Sequence, residues 1–220
     1  MHTATSIRGA VLAALFSFVA VPSAQAEPKL TALPGPFETR NAPVMWAATG
    51  SDALTITAGP GANWFVSPGT GKSVDTAPTL LIRPAGDFTL SARLSLEPKK
   101  RWDSGCMALF VDNDHWAKLC LENANADGKL AVVSVVNRGD SDDVYTDFFA
   151  ADNAIYLKVA RKGAAFLFFA SHDSKEWRMF RTFTFKGSDL GQLRTGLLAQ
   201  SPVGDGMTVQ FSEIRYTPGP

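Results

Sequence analysis

Apolar and polar side chains alternate at every second position through most of this chain, in runs of six to ten residues. A period of two sends successive side chains to opposite faces of a strand, so each run describes a strand with one buried face. The clearest runs are ALTITA (53–58), TLLIRP (79–84), FTLSARLSL (88–96), GCMALFV (105–111), WAKLCLE (116–122), LAVVSVV (130–136), IYLKVAR (155–161), AFLFFAS (165–171), RMFRTFTF (178–185), TGLLAQS (195–201) and MTVQFSEIRY (207–216). Gly-Pro-Gly, Asp-Gly, Asn-Arg-Gly-Asp, His-Asp-Ser and Gly-Asp-Gly separate them, and these residues tolerate turn geometry. No helix-length 3.6 period follows residue 26, and only Ser188–Gly191 suggests a single helical turn. Ten or eleven short strands joined by polar turns predict an all-β, two-sheet antiparallel sandwich.

The first 26 residues have a different character. Arg8, an apolar run from Ala10 to Val21, Pro22 and the small-x-small triplet Ala24-Gln25-Ala26 read as a secretory leader. The run is shorter than the ~20 residues a membrane span needs. The expectation is an exported chain, periplasmic or extracellular, with one domain from Glu27 to Pro220 and no membrane span in it. Without Arg8, 20 of the 21 basic residues face 21 acidic ones, and no like-charge run exceeds Lys99-Lys100-Arg101. A near-neutral chain lacks the basic stripe that phosphate contacts require, which argues against nucleic acid as a partner. Beyond the leader only His115 and His172 remain, so a three-histidine zinc site cannot form within one chain.

The segment GCMALFVDNDHWAKLCLE places the two cysteines within one hairpin. With Cys106 and Cys120 opposite each other, Ala108 faces Lys118, Phe110 faces Trp116, and Val111–His115 forms the loop. Directly opposed residues lie within disulfide reach, and an even cysteine pair in an exported chain favours the bond. Parity then sorts the ribbon. Met107, Leu109, Val111, Ala117, Leu119 and Leu121 form an apolar core face. Cys106, Ala108, Phe110, Trp116, Lys118, Cys120 and Glu122 form a mixed one. Asp112-Asn113-Asp114-His115 is first a turn; a calcium site on Asp112 and Asp114 is the sharper alternative, with too few oxygens for a hard cation.

The runs PTLLIRPAGDFTLSARLSL, WDSGCMALFVDNDHWAKLCLEN, LAVVSVVNRGDSDD, VARKGAAFLFFASHDSKEWRMFRTF and GLLAQSPVGDGMTVQFSEI together resemble the concanavalin A-like lectin/glucanase superfamily. Within it the chain is similar to the family of unassigned function often labelled "regulation of enolase". Its most specific pieces are Gly86-Asp87-Phe88, Trp116-x-Lys118-x-x-x-Glu122, Ser171-x-Asp173-x-x-x-Trp177 and Gly196-Leu197-x-Ala199-x-Ser201-Pro202. The resemblance covers roughly residues 37–216. It implies a jelly roll that often binds sugars on its concave face, and no particular reaction. The chain departs from the family at Ser141-Asp142-Asp143-Val144, where relatives tend to carry Ser-Asp-Trp-Ser; Tyr145 is the residue able to replace that aromatic.

The Glu-x-Asp-x-x-Glu motif of the superfamily's glucanases is absent; of the glutamates only Glu122 and Glu213 lie inside strands, with Glu97 at a strand end, and a hydrolase or lyase would use Glu122 as acid or base. An ion pair with Lys118 would hold it ionised and poor as an acid. Sugar binding needs only an aromatic platform and a few fixed polar groups. Trp116, Lys118 and Glu122 supply these types, Trp102 offers a wall, and Arg178 and Gln200 alternate with core residues on later strands. In the competing reading Trp116 caps the disulfide and Lys118 pairs with Glu122. Ser171–Trp177 suggests an Asp-box but lacks its glycine, so Asp173 binding its own turn amides, with Trp177 plugging the hairpin base, suffices. The expectation is a carbohydrate-binding sandwich rather than an enzyme, with no required cofactor; the alternatives are an oligosaccharide hydrolase or lyase and a structural or protein-interaction domain.

Overall fold

A computed structural model describes residues 30–125 and 127–219. The proposed leader lies outside the described residues. The first sheet orders β1 (Glu38–Arg40), β6 (Thr79–Ile82), β15 (Arg194–Gln200), β8 (Ser104–Phe110), β9 (His115–Glu122), β10 (Ala131–Arg138) and β11 (Ser141–Phe149). The second orders β14 (Arg178–Thr184), β13 (Ala165–Ser171), β12 (Ala154–Lys162), β7 (Phe88–Leu96), β16 (Met207–Pro218), β3 (Leu54–Ala58) and β2 (Met45–Ala48). All these pairings are antiparallel. A separate hairpin, β4 (Trp64–Val66) and β5 (Ser73–Asp75), belongs to neither sheet. The one described helical turn is a 3₁₀ segment at Leu190–Gln192, capped by the Asp189 carboxylate at the Gly191 amide.

Each of the eleven alternating runs is a strand, and the inward positions are the expected ones. Leu90, Leu94, Leu157, Phe166, Phe168 and Phe211 of the second sheet are fully buried against Met107, Leu109, Leu119, Leu121 and Val132 of the first. The hairpin register is also as expected: Cys106 opposes Cys120, Ala108 opposes Lys118 and Phe110 opposes Trp116. The cysteines are disulfide-bonded, with Cα atoms 4.0 Å apart.

The two sheets differ in how they treat their outer faces. In β7 buried residues alternate with half-buried ones, the pattern of a sheet wet on one side. In β8, β9, β10 and β15 nearly every residue is buried, so the first sheet is covered on both sides. Its outer cover is the β4–β5 hairpin. Trp64, Val66 and Ala77 pack there with Leu81, Cys106, Ala108, Trp116, Cys120 and Leu198, a second and smaller apolar cluster.

Gly105 shows how closely the layers meet. A Cβ at this inward-facing position would run into Val209 of the opposite sheet. Gly105→Ala is expected to cost about 1–3 kcal/mol by overpacking. Denaturant unfolding should show Val209→Ala in the same chain recovering part of that loss, because the removed methyls make room; equal or greater loss in the double variant would contradict this packing.

Candidate functional site

Strand register lays out the outer face of the first sheet as three rows. Lys118 lies beside Ala108 and Val135, and Val135 lies beside Asp143. Cys120 lies between Cys106 and Val133, with Tyr145 beyond. Glu122 faces Ser104, which faces Gln200. The β4–β5 hairpin covers the part of this face near Trp116. Between the hairpin, Trp102 and β11 it leaves a cavity of about 290 Å³. Lys118, Glu122, Gln200, Val133 and Val135 line it from the sheet. Phe65, Trp102 and Tyr145 give it aromatic walls, and Asn63, Asp143, Pro202 and Val203 complete the rim.

Lys118 is 2% exposed. Its ammonium donates to the Trp64 carbonyl at 2.6 Å and to Gln200 Oε1 at 2.9 Å. A buried charge persists only when it is hydrogen-bonded, and these two bonds engage two of its three N–H donors while tying the hairpin to β9 and β15. Burial lowers its pKa to about 8, against the attraction of Glu122 and Asp143. Glu122 is also buried, four residues or about 13 Å along the strand. Burial raises its carboxyl to about 7, with the pull of Lys118 working the other way. Asp143 is raised as well, chiefly by burial, with Lys118 and a hydrogen bond from Tyr145 pulling the other way; its Oδ1 is shut off from solvent. The Tyr145 hydroxyl is pushed up to about 12 by burial and by the two neighbouring carboxyls.

Trp102 reaches the cavity through a left-handed backbone, φ 66°. Buried Asp103 holds that loop: its Oδ2 accepts from the Lys99 and Lys100 amides at 2.8 Å each, and its Oδ1 accepts from Ser201 Oγ at 2.7 Å. Arg101 stacks 4.9 Å from the centre of the Trp102 ring.

The structure brings Trp102, Lys118, Glu122 and Gln200 together around one cavity, and it corrects three expectations. Trp116 lies on the outer face but is only 1% exposed, because the Trp64 ring stacks on it with centroids 4.5 Å apart. It supports the hairpin and the disulfide region and offers no surface to a ligand. Arg178 sits on β14 of the other sheet, near Phe148, Phe180 and Asp147, and takes no part in this cavity. Glu122 is not held ionised by Lys118: no ion pair joins them among the described residues, since the ammonium is bound to Trp64 and Gln200.

Asp112 accepts from the Asp114 and His115 amides at 2.9 and 2.8 Å, so its carboxylate closes its own turn. Among the described residues no group of three or more His, Cys, Asp or Glu is placed to hold a metal ion, and Asp112 with Asp114 form none. Asp173 likewise accepts from the Lys175 and Glu176 amides, and Trp177 Nε1 donates to the Ser174 carbonyl.

Sequence reasoning missed Trp64, Phe65, Asn63 and Asp143. The first three lie on or beside three-residue strands too short to show a period. Parity did carry a usable signal for Asp143, which shares a face with Tyr145 two residues on. Both residues line the cavity.

The match to known proteins follows this architecture. The model of a family described as "Protein of unknown function (DUF1349)" covers residues 40–219. The chain belongs to that family. It is 26% identical over 147 residues to "Regulation of enolase protein 1" of Saccharomyces cerevisiae, spanning 67% of this chain and 72% of that protein. A solved structure of a functionally unknown Saccharomyces cerevisiae protein superposes with TM-score 0.75 at 21% identity, covering 84% of this chain and 97% of the other. A xylan β-1,4-xylosidase from Bacillus halodurans gives 0.59 at 14% identity over 84% of this chain and 40% of that one. The alginate lyase from Klebsiella pneumoniae gives 0.51 at 12% identity over 78% and 83%. At these identities the likeness is one of fold: a concanavalin-like sandwich shared with carbohydrate-active enzymes.

The raised Glu122 carboxyl makes stability depend on pH. Between its ordinary value of 4.5 and about 7, the folded chain keeps a proton that the unfolded chain has released, so stability falls as pH rises. Lys118 acts in the opposite direction only higher up, from about 8 to its ordinary 10.5. The expected loss from Glu122 between pH 5 and 7.5 is on the order of 1–3 kcal/mol. Urea titrations should show it in the wild type and a flatter profile in Glu122→Gln; identical profiles would contradict the burial of a titrating carboxyl.

Proposed function

We propose that this protein is an exported carbohydrate-binding sandwich that seats one sugar residue in the cavity over Lys118, Glu122 and Gln200. The observation that carries the reading is an unfilled cavity of about 290 Å³ with aromatic walls and buried polar groups at its base. That volume is near the lower end for small-molecule sites, ~300–1,000 Å³, and suits a single ring. Trp102, Phe65 and Tyr145 offer flat apolar surfaces for a pyranose face, and Glu122 and Gln200 offer fixed polar atoms for its hydroxyls. A purely structural sandwich would fill this face with its own side chains. The Cys106–Cys120 disulfide is in keeping with an oxidising compartment, which supports export.

A second reading rests on Glu122. A carboxyl raised to about 7 inside a cavity can donate a proton at neutral pH, the property a glycosidic leaving group or a lyase reaction needs. In that case Glu122 is the acid of a sugar-cleaving enzyme. Reducing-sugar and unsaturated-product assays on mixed polysaccharides separate the two readings: turnover abolished in Glu122→Gln establishes the enzyme, and binding without turnover supports the first.

Glycan-array screening followed by calorimetry is expected to find at least one saccharide ligand. Trp102→Ala should weaken it about 5- to 10-fold, the value of one lost aromatic contact. Absence of binding to any glycan by a folded wild-type protein would overturn the proposal.

A further inference from the structure

The walls of the cavity are bonded to one another on three sides. At the Lys118 end, the chain carrying the β4–β5 hairpin reaches from the loop after β15 to β11. On the β15 side the Ser201 amide donates to the Ala62 carbonyl at 2.9 Å, and the Gly61 amide donates to the Gly204 carbonyl at 3.3 Å. On the β11 side the Val66 amide donates to Ser141 Oγ at 3.0 Å. Past Glu122 stands Trp102, whose amide donates to the Asn123 carbonyl at 2.9 Å. Asp103 joins that loop to Ser201, and Pro202 and Val203 close the side between the two. A chain lying along the strands would thus meet the hairpin at one end and the Trp102 ring at the other. One crossing toward β15 would meet Val203. The fourth side is different. It is the edge strand β11, where Tyr145 lines the cavity and is 55% exposed. Among the described residues no hydrogen bond ties the Trp102 loop to β11, and the exposed Arg101, stacked on Trp102, lies near Tyr145 at this opening.

Resting on the carbohydrate reading above, we propose that the cavity is a dead end for the terminal residue of a glycan chain, with the next residue leaving over Tyr145 at the β11 edge. A site closed on three sides, with room for one ring, holds a chain end but no residue that continues in both directions. The exposed ring of Tyr145 gives the second residue an apolar face to lie on. Length beyond that residue then adds nothing to affinity. An open groove behaves otherwise: it gains contacts with each further unit and accepts chains that have no ends.

Calorimetry at pH 7 with glucose, mannose, xylose and N-acetylglucosamine, their linear disaccharides and hexasaccharides, and α-cyclodextrin tests this directly. In at least one series the disaccharide is expected to bind about threefold or more tightly than the monosaccharide, and the hexasaccharide within about threefold of the disaccharide. α-Cyclodextrin, a closed ring of glucose units, has no terminus and is expected not to bind. Tyr145→Ala should bring the disaccharide down to the level of the monosaccharide; the residue is on an exposed edge, and thermal unfolding confirms that the variant remains folded. A hexasaccharide binding more than about threefold tighter than its disaccharide, or binding of α-cyclodextrin, would overturn the dead end while leaving the carbohydrate site intact. A disaccharide no tighter than its monosaccharide, or one whose advantage survives in Tyr145→Ala, would overturn the exit over β11. No binding by any of these saccharides would overturn the terminal-residue assignment, and a blank glycan array alongside it would remove the carbohydrate site as well.

Discussion

The buried ammonium of Lys118 decides the form of the outer face. An isolated charge in such a place would cost several kcal/mol, and the side chain stays charged because the Trp64 carbonyl and Gln200 Oε1 accept from it. Those two acceptors come from distant parts of the chain. One is on a hairpin that shares no ladder with either sheet, and the other is on β15. One cation thereby joins the cover to the sheet and sets the edge at which the cover stops. The cavity is the area beyond that edge. The Trp64–Trp116 stack and the bond from the Val66 amide to Ser141 Oγ reinforce the same seam.

Burial of the ammonium has a second consequence, for Glu122. A lysine that donates to neutral acceptors leaves a carboxyl farther along the same strand without a close counter-ion. Desolvation then raises that carboxyl instead of an ion pair lowering it. Hence the polar part of the cavity consists of a cation with two of its three donors engaged, a carboxyl raised to about 7 and a second carboxyl raised by burial.

The sandwich itself was legible in the alternating runs, because a two-residue period is a local property that tertiary contacts then use. Pairing Cys106 with Cys120 set the register of β8 and β9, and parity then divided the hairpin into its two faces. Parity states which side a residue takes, however, and not what covers that side. Trp116 was assigned to the right face and to the wrong environment, since its cover comes from β4, three residues long and set among glycine-rich turns. Arg178 failed for a related reason: alternation with core residues places a side chain outside its own sheet without saying which sheet that is. The β11 strand was missed because Ser141–Phe149 is an edge strand, half exposed and polar, and its sequence resembles a loop. Asp143 went unweighed with it.

The central claim, that Lys118 seats the hairpin and so shapes the site, can be tested by hydrogen exchange on Lys118→Met. Methionine keeps most of the side-chain volume and removes the donors. The account predicts that the hydrogen-bonded amides of residues 63–76 lose protection by tenfold or more, while β7, β12 and the inner positions of β9 keep theirs. Unchanged protection in residues 63–76 would contradict the claim and show that apolar packing alone holds the cover in place.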